Sequence, residues 1–279
     1  DNGDNTFALV VPVENALPDG TYDVVATATD AAGNASSDIT TDELVIDTTN
    51  PINPTVDALT TNDTTPTITG TADSVDNLTL TVNGITYTEG DGNLTDNGDN
   101  FFTLIIPAGN ALPDGTYDVV ATAADAAGNA SSDITTDELV IDTAAPTVPT
   151  VNTQITNNPT PTITGTADSV DDLTIVVNGI TYSEGDGNLT DNGDNTFALV
   201  VPVENALPDG TYDVVATATD AAGNASSDIT TDELVIDTAA PTVPTVDALE
   251  TNNSTPTITG TADSVDDLTV VVNGITYTE

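Results

Sequence analysis

The sequence predicts an all-β chain of tandem antiparallel β-sandwich domains, about seven strands each, arranged as a linear rod. Three observations carry that expectation. The first is a repeat. Ala-Leu-Pro-Asp-Gly-Thr-Tyr-Asp-Val-Val begins at Ala16, Ala111 and Ala206, and Asp-Ala-Ala-Gly-Asn begins at Asp30, Asp125 and Asp220. Thr-Pro-Thr-Ile-Thr-Gly-Thr-Ala-Asp begins at Thr65, Thr160 and Thr255, so the period is 95 residues throughout. That period is too long for a helical or leucine-rich solenoid unit and suits one small β-sandwich. The second observation is period-two alternation of apolar residues in short Val-, Ile- and Thr-rich runs, with no helical periodicity. The third is the turn chemistry between those runs, above all Asn83-Gly84 and its copies, a two-residue hairpin signal.

The elements follow in order along the repeat that begins near Asp47. Residues 47–54 form a proline-stiffened linker, because proline fixes φ and removes donors. A first strand is expected over Thr55–Leu59, a turn over 60–66, and a second strand over Thr67–Ala72 with Ile68 and Ala72 inward. Leu78, Leu80 and Val82 alternate along a third strand, which Asn83-Gly84 joins to a fourth over Ile85–Glu89. The polar stretch 90–100 reads as a loop. Phe102, Leu104 and Ile106 face inward from Phe101–Ile106. Residues 114–123 make one strand with Tyr117, Val119, Ala121 and Ala123 on one face, and Leu139–Ile141 makes the last. Tyr22, Tyr117 and Tyr212 each follow Asp-Gly, where a tyrosine corner bonds its hydroxyl to upstream backbone.

The phase of the repeat sets the expected organisation. Residues 49–143 and 144–238 are whole repeats, residues 1–48 are the second half of one, and residues 239–279 are the first half of another. Residues 1–48 are identical to 191–238. The chain reads as a window on a longer protein. A half-sandwich cannot bury its own core, so each terminal part is expected to be disordered or to pair with a complementary half, which another chain could supply.

Composition defines the surroundings. There are 46 acidic residues and no Lys, Arg or His. No side chain can form a salt bridge, so the acids are either a solubilising coat or partly neutralised by hard divalent cations, whose ligands are oxygen. Nucleic-acid binding is excluded, because phosphate neutralisation needs Lys or Arg. Attachment to anionic membranes is disfavoured for the same reason, and no apolar run is long enough for membrane insertion. Hydrophobic residues make up 37% of the chain, enough for folding rather than charge-driven disorder. Without Cys, His or Lys the usual nucleophiles and bases are absent, so an enzyme is not expected.

Asp-Thr-x-x-Pro, Pro-Thr-Ile-Thr-Gly-Thr-Ala-Asp, Leu-Pro-Asp-Gly-Thr-Tyr-Asp-Val and Asp-Ala-Ala-Gly-Asn together resemble the bacterial immunoglobulin-like (Ig-like, BIg) extender repeats of giant RTX-type surface adhesins. The resemblance covers the whole chain. It implies an extracellular spacer at the bacterial cell surface or in a biofilm, projecting a distal adhesive domain, with Ca2+ at the junctions between neighbouring repeats. The Gly-Gly-x-Gly-x-Asp nonapeptides of a calcium-binding β-roll are missing.

Alternating strand direction places candidate ligands. The exit of one repeat's last strand should meet the Ala-Asp-Ser-Val-Asp and Asp-Ala-Ala-Gly-Asn loops of the next. The candidate metal ligands are therefore Asp30, Asn34, Asp47, Asp73, Asp76, Asp125, Asn129, Asp142, Asp168, Asp171, Asp220, Asn224, Asp237 and Asp263, with Asp19 and Asp114 as neighbours. Several acids meeting without a cation would repel. The alternative is that each Asp caps a turn, a role Asp and Asn fill routinely. The loop 91–99 resembles the start of an EF-hand but lacks its closing Glu and flanking helices. Two other functions compete with the spacer. One is a module binding glycan or ice through exposed Thr rows. The other is a fibre in which half-domains complement each other between chains.

Overall fold

The computed structural model describes residues 2–3, 5–73, 77–168, 172–263 and 267–278. The chain divides into two compact units, Asp1–Ala145 with Ala221–Asn224, and Pro146–Asp220 with Ala225–Glu279. Both are built from short strands joined by tight turns.

The first unit opens with β1 (Gly20–Tyr22), β2 (Thr27–Thr29), β3 (Ala35–Ser37) and β4 (Leu44–Ile46). They pair as two antiparallel ribbons, β1 with β4 and β2 with β3. Then come β5 (Thr55–Val56), β6 (Leu59–Thr61), β7 (Thr67–Thr71), β8 (Asn77–Val82), β9 (Ile85–Thr88) and β10 (Leu94–Asp96). β11 (Phe101–Ile105), β12 (Gly115–Tyr117), β13 (Val119–Ala124), β14 (Ala130–Ser132) and β15 (Leu139–Ile141) complete it. One sheet has the order β10-β11-β7-β5, a second β14-β13-β8-β9, and a third β12-β15-β6.

Inward residues from these sheets make one core. Ile68, Leu78, Leu80, Val82, Tyr87, Leu94, Phe102, Leu104, Ile106, Val119, Ala121, Leu139 and Ile141 are all buried in it. Period-two alternation selects Ile68, Leu78, Leu80, Val82, Phe102, Leu104, Ile106, Val119 and Ala121, whereas Leu94 comes from the stretch that read as a loop. At Gly70 the packing is so close that a Cβ would overlap the Thr55 carbonyl oxygen and come within 2.5 Å of the Phe102 ring. Only glycine allows β5 and Phe102 to approach there. The Asn83-Gly84 turn has φ of 50° and 75°, both positive as a type I′ hairpin requires.

The structure corrects the expected strands in three places. Thr55–Leu59 is not one strand. β5 pairs antiparallel with β7, the Asp57 N–H donates to the Thr69 carbonyl at 2.9 Å, and the chain then changes sheets. β6 pairs with β15 in parallel, so the sandwich is not purely antiparallel. The stretch 114–123 breaks at Asp118, because the Val119 N–H donates to the Glu138 carboxylate at 3.1 Å instead of to a strand. The polar stretch 90–100 that reads as a loop holds β10, and β14 falls where the pattern predicts no strand; both are three-residue pieces at a sheet edge. Tyr117 forms the expected corner, its hydroxyl donating to the Pro113 carbonyl at 2.7 Å.

The second unit repeats this plan over Thr150–Ile236, with two four-stranded sheets and one three-stranded sheet. Gln154–Thr156 pairs in parallel with Leu234–Ile236. Its core comprises Ile163, Leu173, Ile175, Val177, Tyr182, Phe197, Leu199, Val201, Val214, Ala216, Leu234 and Ile236 among others. After it come two antiparallel ribbons, Thr245–Val246 with Gly260–Thr261 and Thr269–Val272 with Ile275–Thr278. In these ribbons Ile258, Val272 and Tyr277 are exposed, whereas their counterparts Ile68, Val82 and Tyr87 are buried.

Candidate functional site

The Asp-Ala-Ala-Gly-Asn loop joins β13 to β14. Its backbone closes on itself: the Asp125 N–H donates to the Asn129 carbonyl at 3.0 Å and the Gly128 N–H to the Asp125 carbonyl at 3.1 Å. Gly128 takes the left-handed φ of 93° that this tight reversal needs. Both carboxylate oxygens of Asp125 accept from Asn129, one from its N–H and the other from its side-chain amide, each at 2.9 Å. These bonds, the Asn129 side chain first, hold the Asp125 carboxyl below its ordinary value. Asp30 sits in the same turn, accepting from the Ala32 N–H and from both the N–H and the amide of Asn34. Its carboxyl is likewise lowered, mainly by the Asn34 side chain.

The Asn129 amide reaches further. Its Nδ2 also donates to the Asp47 carbonyl at 3.0 Å, which brings the exit of β4 to the Asp125 loop. Asn224 donates in the same way to the Asp142 carbonyl at 2.8 Å, within the first unit. Asp47 and Asp142 each turn the linker by accepting a backbone N–H two residues on, from Thr49 and Ala144 at 3.0 Å. Asp237 does so with Ala239. Asp19 and Asp114 tie the same exits: Asp114 Oδ1 accepts from the Thr143 N–H and hydroxyl, and Asp19 Oδ1 from those of Thr48.

The remaining predicted ligands are less gathered. Asp73 and Asp168 are half-buried just beyond Thr67–Thr71 and Thr162–Thr166. Asp220 directly follows the strand Val214–Thr219. Asp263 accepts from the Thr242 N–H at 2.9 Å. Asp76 and Asp171 lie outside the described residues. In the loop 91–99, Asp91 Oδ1 accepts from the N–H groups of Asn93 and Leu94, which makes it a turn cap leading into β10.

The predicted pairing of a strand exit with the Asp-Ala-Ala-Gly-Asn loop is therefore present in the first unit as hydrogen bonds through Asn129. Among the described residues no three acidic side chains converge tightly enough to hold a metal ion on carboxylates alone. The oxygens gathered around Asn129 are the Asp125 carboxylate and the Asp47 carbonyl, with the Asp47 carboxylate and the Asn129 amide oxygen on the same residues. They fit a hard cation in kind, with carbonyls and water needed to complete the shell.

Glu138 and Glu233 are functional candidates that the sequence pattern hides. Each directly precedes an inward Leu, so strict alternation turns it to solvent, yet both are buried. The signal that could have found them is the invariant Asp-Ile-Thr-Thr-Asp-Glu at 38–43, 133–138 and 228–233. No helix among the described residues is long and apolar enough to cross a membrane.

Solved structures that match the chain include the tetra-tandem repeat in the extending region of a large adhesion protein. It is 25% identical, covers 94% of this chain and 70% of that one, and superposes with a TM-score of 0.31. A structure from a 1.5-MDa bacterial ice-binding adhesin is 23% identical over 76% of this chain and 74% of that one, with a TM-score of 0.30. An I-band fragment of titin is 13% identical over 79% and 85%, with a TM-score of 0.36. No curated protein matches the chain. A model for the bacterial Ig-like domain, group 3, matches residues 107–183. The bacterial Ig-like domain model matches residues 55–143 and again 147–238, most of the sequence, and the chain belongs to that family.

Proposed function

We propose that this chain is a structural spacer, a run of Ig-like repeats bounded at 49–143 and 144–238, in an extracellular bacterial adhesin of the RTX type. It projects an adhesive domain from the cell surface, and calcium at the junctions between repeats stiffens it. The observation that carries the reading is the bond from the Asn129 amide to the Asp47 carbonyl. It supports a junction in which the linker is fastened to the loop of the following repeat.

The physical argument is about charge and reach. The chain carries a formal charge of −46 with no cation of its own, so every carboxylate added near a junction raises the repulsion there. A calcium ion taking the Asp47 and Asp125 carboxylates, the Asp47 carbonyl and the Asn129 oxygen relieves that repulsion and fixes the linker. Its binding free energy then adds to folding free energy. Near-identical repeats serve a spacer because each copy lengthens it, whereas a catalytic centre gains nothing from serial copies. The lack of His, Cys and Lys agrees with a non-enzymatic role.

Small-angle X-ray scattering of the chain in calcium and then in excess chelator tests this. The expected result is a particle of fixed length in calcium that becomes flexible and more broadly distributed in chelator. Identical profiles would leave the prolines as the source of stiffness and reduce the acids to a solubilising coat.

A further inference from the structure

Glu138 and Glu233 are 6% and 1% exposed, in a chain that has no basic side chain to neutralise them. In each, Oε2 accepts a backbone N–H, from Val119 at 3.1 Å and from Val214 at 3.0 Å. The other oxygen, Oε1, is buried without a hydrogen-bond partner in both. The same loop supplies a second acid. Asp133 and Asp228 accept the hydroxyl protons of Thr135 and Thr230 at 2.8 Å, and Asp228 is itself 8% exposed.

A hydroxyl has one proton to give. Thr135 spends its proton on Asp133, and Glu138 Oε1 has no hydrogen-bond donor. In the equivalent loop at 38–43 the Asp38 carboxylate repels that of Glu43, which makes the two acids electrostatic neighbours. Burying an ionised oxygen with neither donor nor counter-charge is costly. Either a proton or a cation must complete the site. The Val119 and Val214 N–H groups that donate to Oε2 favour a carboxylate over a carboxylic acid. With Oε2 held as an acceptor and Oε1 buried without a donor, a cation is the group that completes the site.

We propose that the loops 133–138 and 228–233 each hold a hard cation of the calcium class, bound by Glu138 Oε1 with Asp133, and by Glu233 Oε1 with Asp228. The lone pairs of Thr135 and Thr230, main-chain carbonyls and water complete the shell. Each site lies inside one repeat and does not depend on the junction sites. Two carboxylates rather than three or four place it among weak sites, with dissociation constants on the order of 0.1–1 mM, as in extracellular modules. The copy at 38–43 is a built-in control, because Glu43 is exposed there and carries no burial cost for a cation to offset.

The test is calcium binding by equilibrium dialysis, with thermal unfolding in calcium and in chelator, on the full chain and on E138Q/E233Q. The variant should bind fewer calcium ions, one lost per substituted glutamate. In chelator it should melt above the parent chain, because a buried uncompensated charge has gone. Asp133→Asn with Asp228→Asn keeps the buried glutamates and one oxygen to accept the backbone N–H groups of the turn. It should fold, and should bind calcium at these loops several-fold more weakly. Glu43→Gln should change nothing. An unchanged ion count in E138Q/E233Q and in D133N/D228N, or a lower melting temperature of E138Q/E233Q in chelator, overturns the proposal. Calcium lost only on Asp47→Asn and Asp142→Asn would overturn this site and leave the junction reading standing.

Discussion

Residues 1–48 and 191–238 are the same sequence in different surroundings. Phe197 and Leu199 are 1% and 0% exposed, whereas Phe7 and Leu9 are 67% and 76% exposed. Thr196–Val200 is a strand paired with Thr162–Thr166, while residues 6–10 form no strand. The strand Val214–Thr219 shrinks to Thr27–Thr29 in the other copy. Yet many local contacts are unchanged. Tyr22 and Tyr212 both donate to a proline carbonyl at 2.7 Å, and Val24 and Val214 both donate to a glutamate at 3.0 Å. Both copies also pair their Gly-Thr-Tyr and Leu-Val-Ile strands in the same register. Turns, corners and the ribbon between those strands are properties of the 48 residues themselves. The core is not: it needs the strands of the other half, and without them the apolar face is built but left uncovered.

The largest test of that division is truncation of the same side chain in both places. Phe197→Ala should lower stability by about 3–5 kcal/mol, as for other buried phenylalanines, while Phe7→Ala should leave the urea unfolding curve where it was. Equal losses from the two would mean that residues 1–48 are packed in solution, and the distinction between local and core contacts would fail. Next in size is Gly165→Ala. Its Cβ would overlap the Thr150 carbonyl oxygen and crowd the Phe197 ring, so either the backbone or the ring must move. The expected cost is about 1–3 kcal/mol, seen as a lower denaturation midpoint. Gly260→Ala meets Thr245 but no aromatic ring, so it should be milder; an equal loss would assign the whole effect to the backbone.

The same division explains what could be read from the sequence. The Asn83-Gly84 hairpin, the Tyr117 corner and the inward set Leu78, Leu80 and Val82 were legible because each depends on neighbours within a few residues. The switch of β5 to β6 between sheets was not. Nothing in Thr55–Leu59 announces that Leu59 opens a new strand that pairs in parallel with β15, more than seventy residues later. Of the candidate site, the meeting of Asp47 with the Asp125 loop followed from strand direction. The fastening itself runs through the Asn129 amide and a backbone carbonyl, groups that carry no compositional signal. Glu138 escaped because alternation assigns it to solvent. The pleat breaks at Asp118, where a carboxylate caps Val119, and period-two reasoning cannot see a break made by a side chain nineteen residues away.

Smaller effects probe the local contacts that the two copies share. Tyr212→Phe removes the bond to the Pro208 carbonyl and should cost about 1 kcal/mol, because that energy adds to a closed core. Tyr22→Phe removes the same bond from an open half. It should leave global unfolding unchanged and speed amide exchange across β1 and β4 alone. Exchange that slows nowhere and quickens nowhere in Tyr22→Phe would show the corner to be redundant outside a closed sandwich.

The smallest expected effect is a titration. Asp30 has its carboxyl lowered from 3.8 by the Asn34 side chain first and then by the backbone N–H groups of the turn. Its folded-state value is depressed, so the contribution to the turn is present above the unfolded value and is lost as pH falls through the folded one. The group is fully exposed, so global stability should not register the change. The side-chain NMR signal of Asp30 should instead titrate below 3.8, and Asn34→Ala should move the midpoint back toward it. Such a return would mean that the turn in residues 1–48 holds its hydrogen bonds without a covered core. An Asp30 midpoint at the ordinary value in the parent chain would mean that this turn, too, waits for the rest of the sandwich, and the line between local and core contacts would have to be drawn closer to single strands.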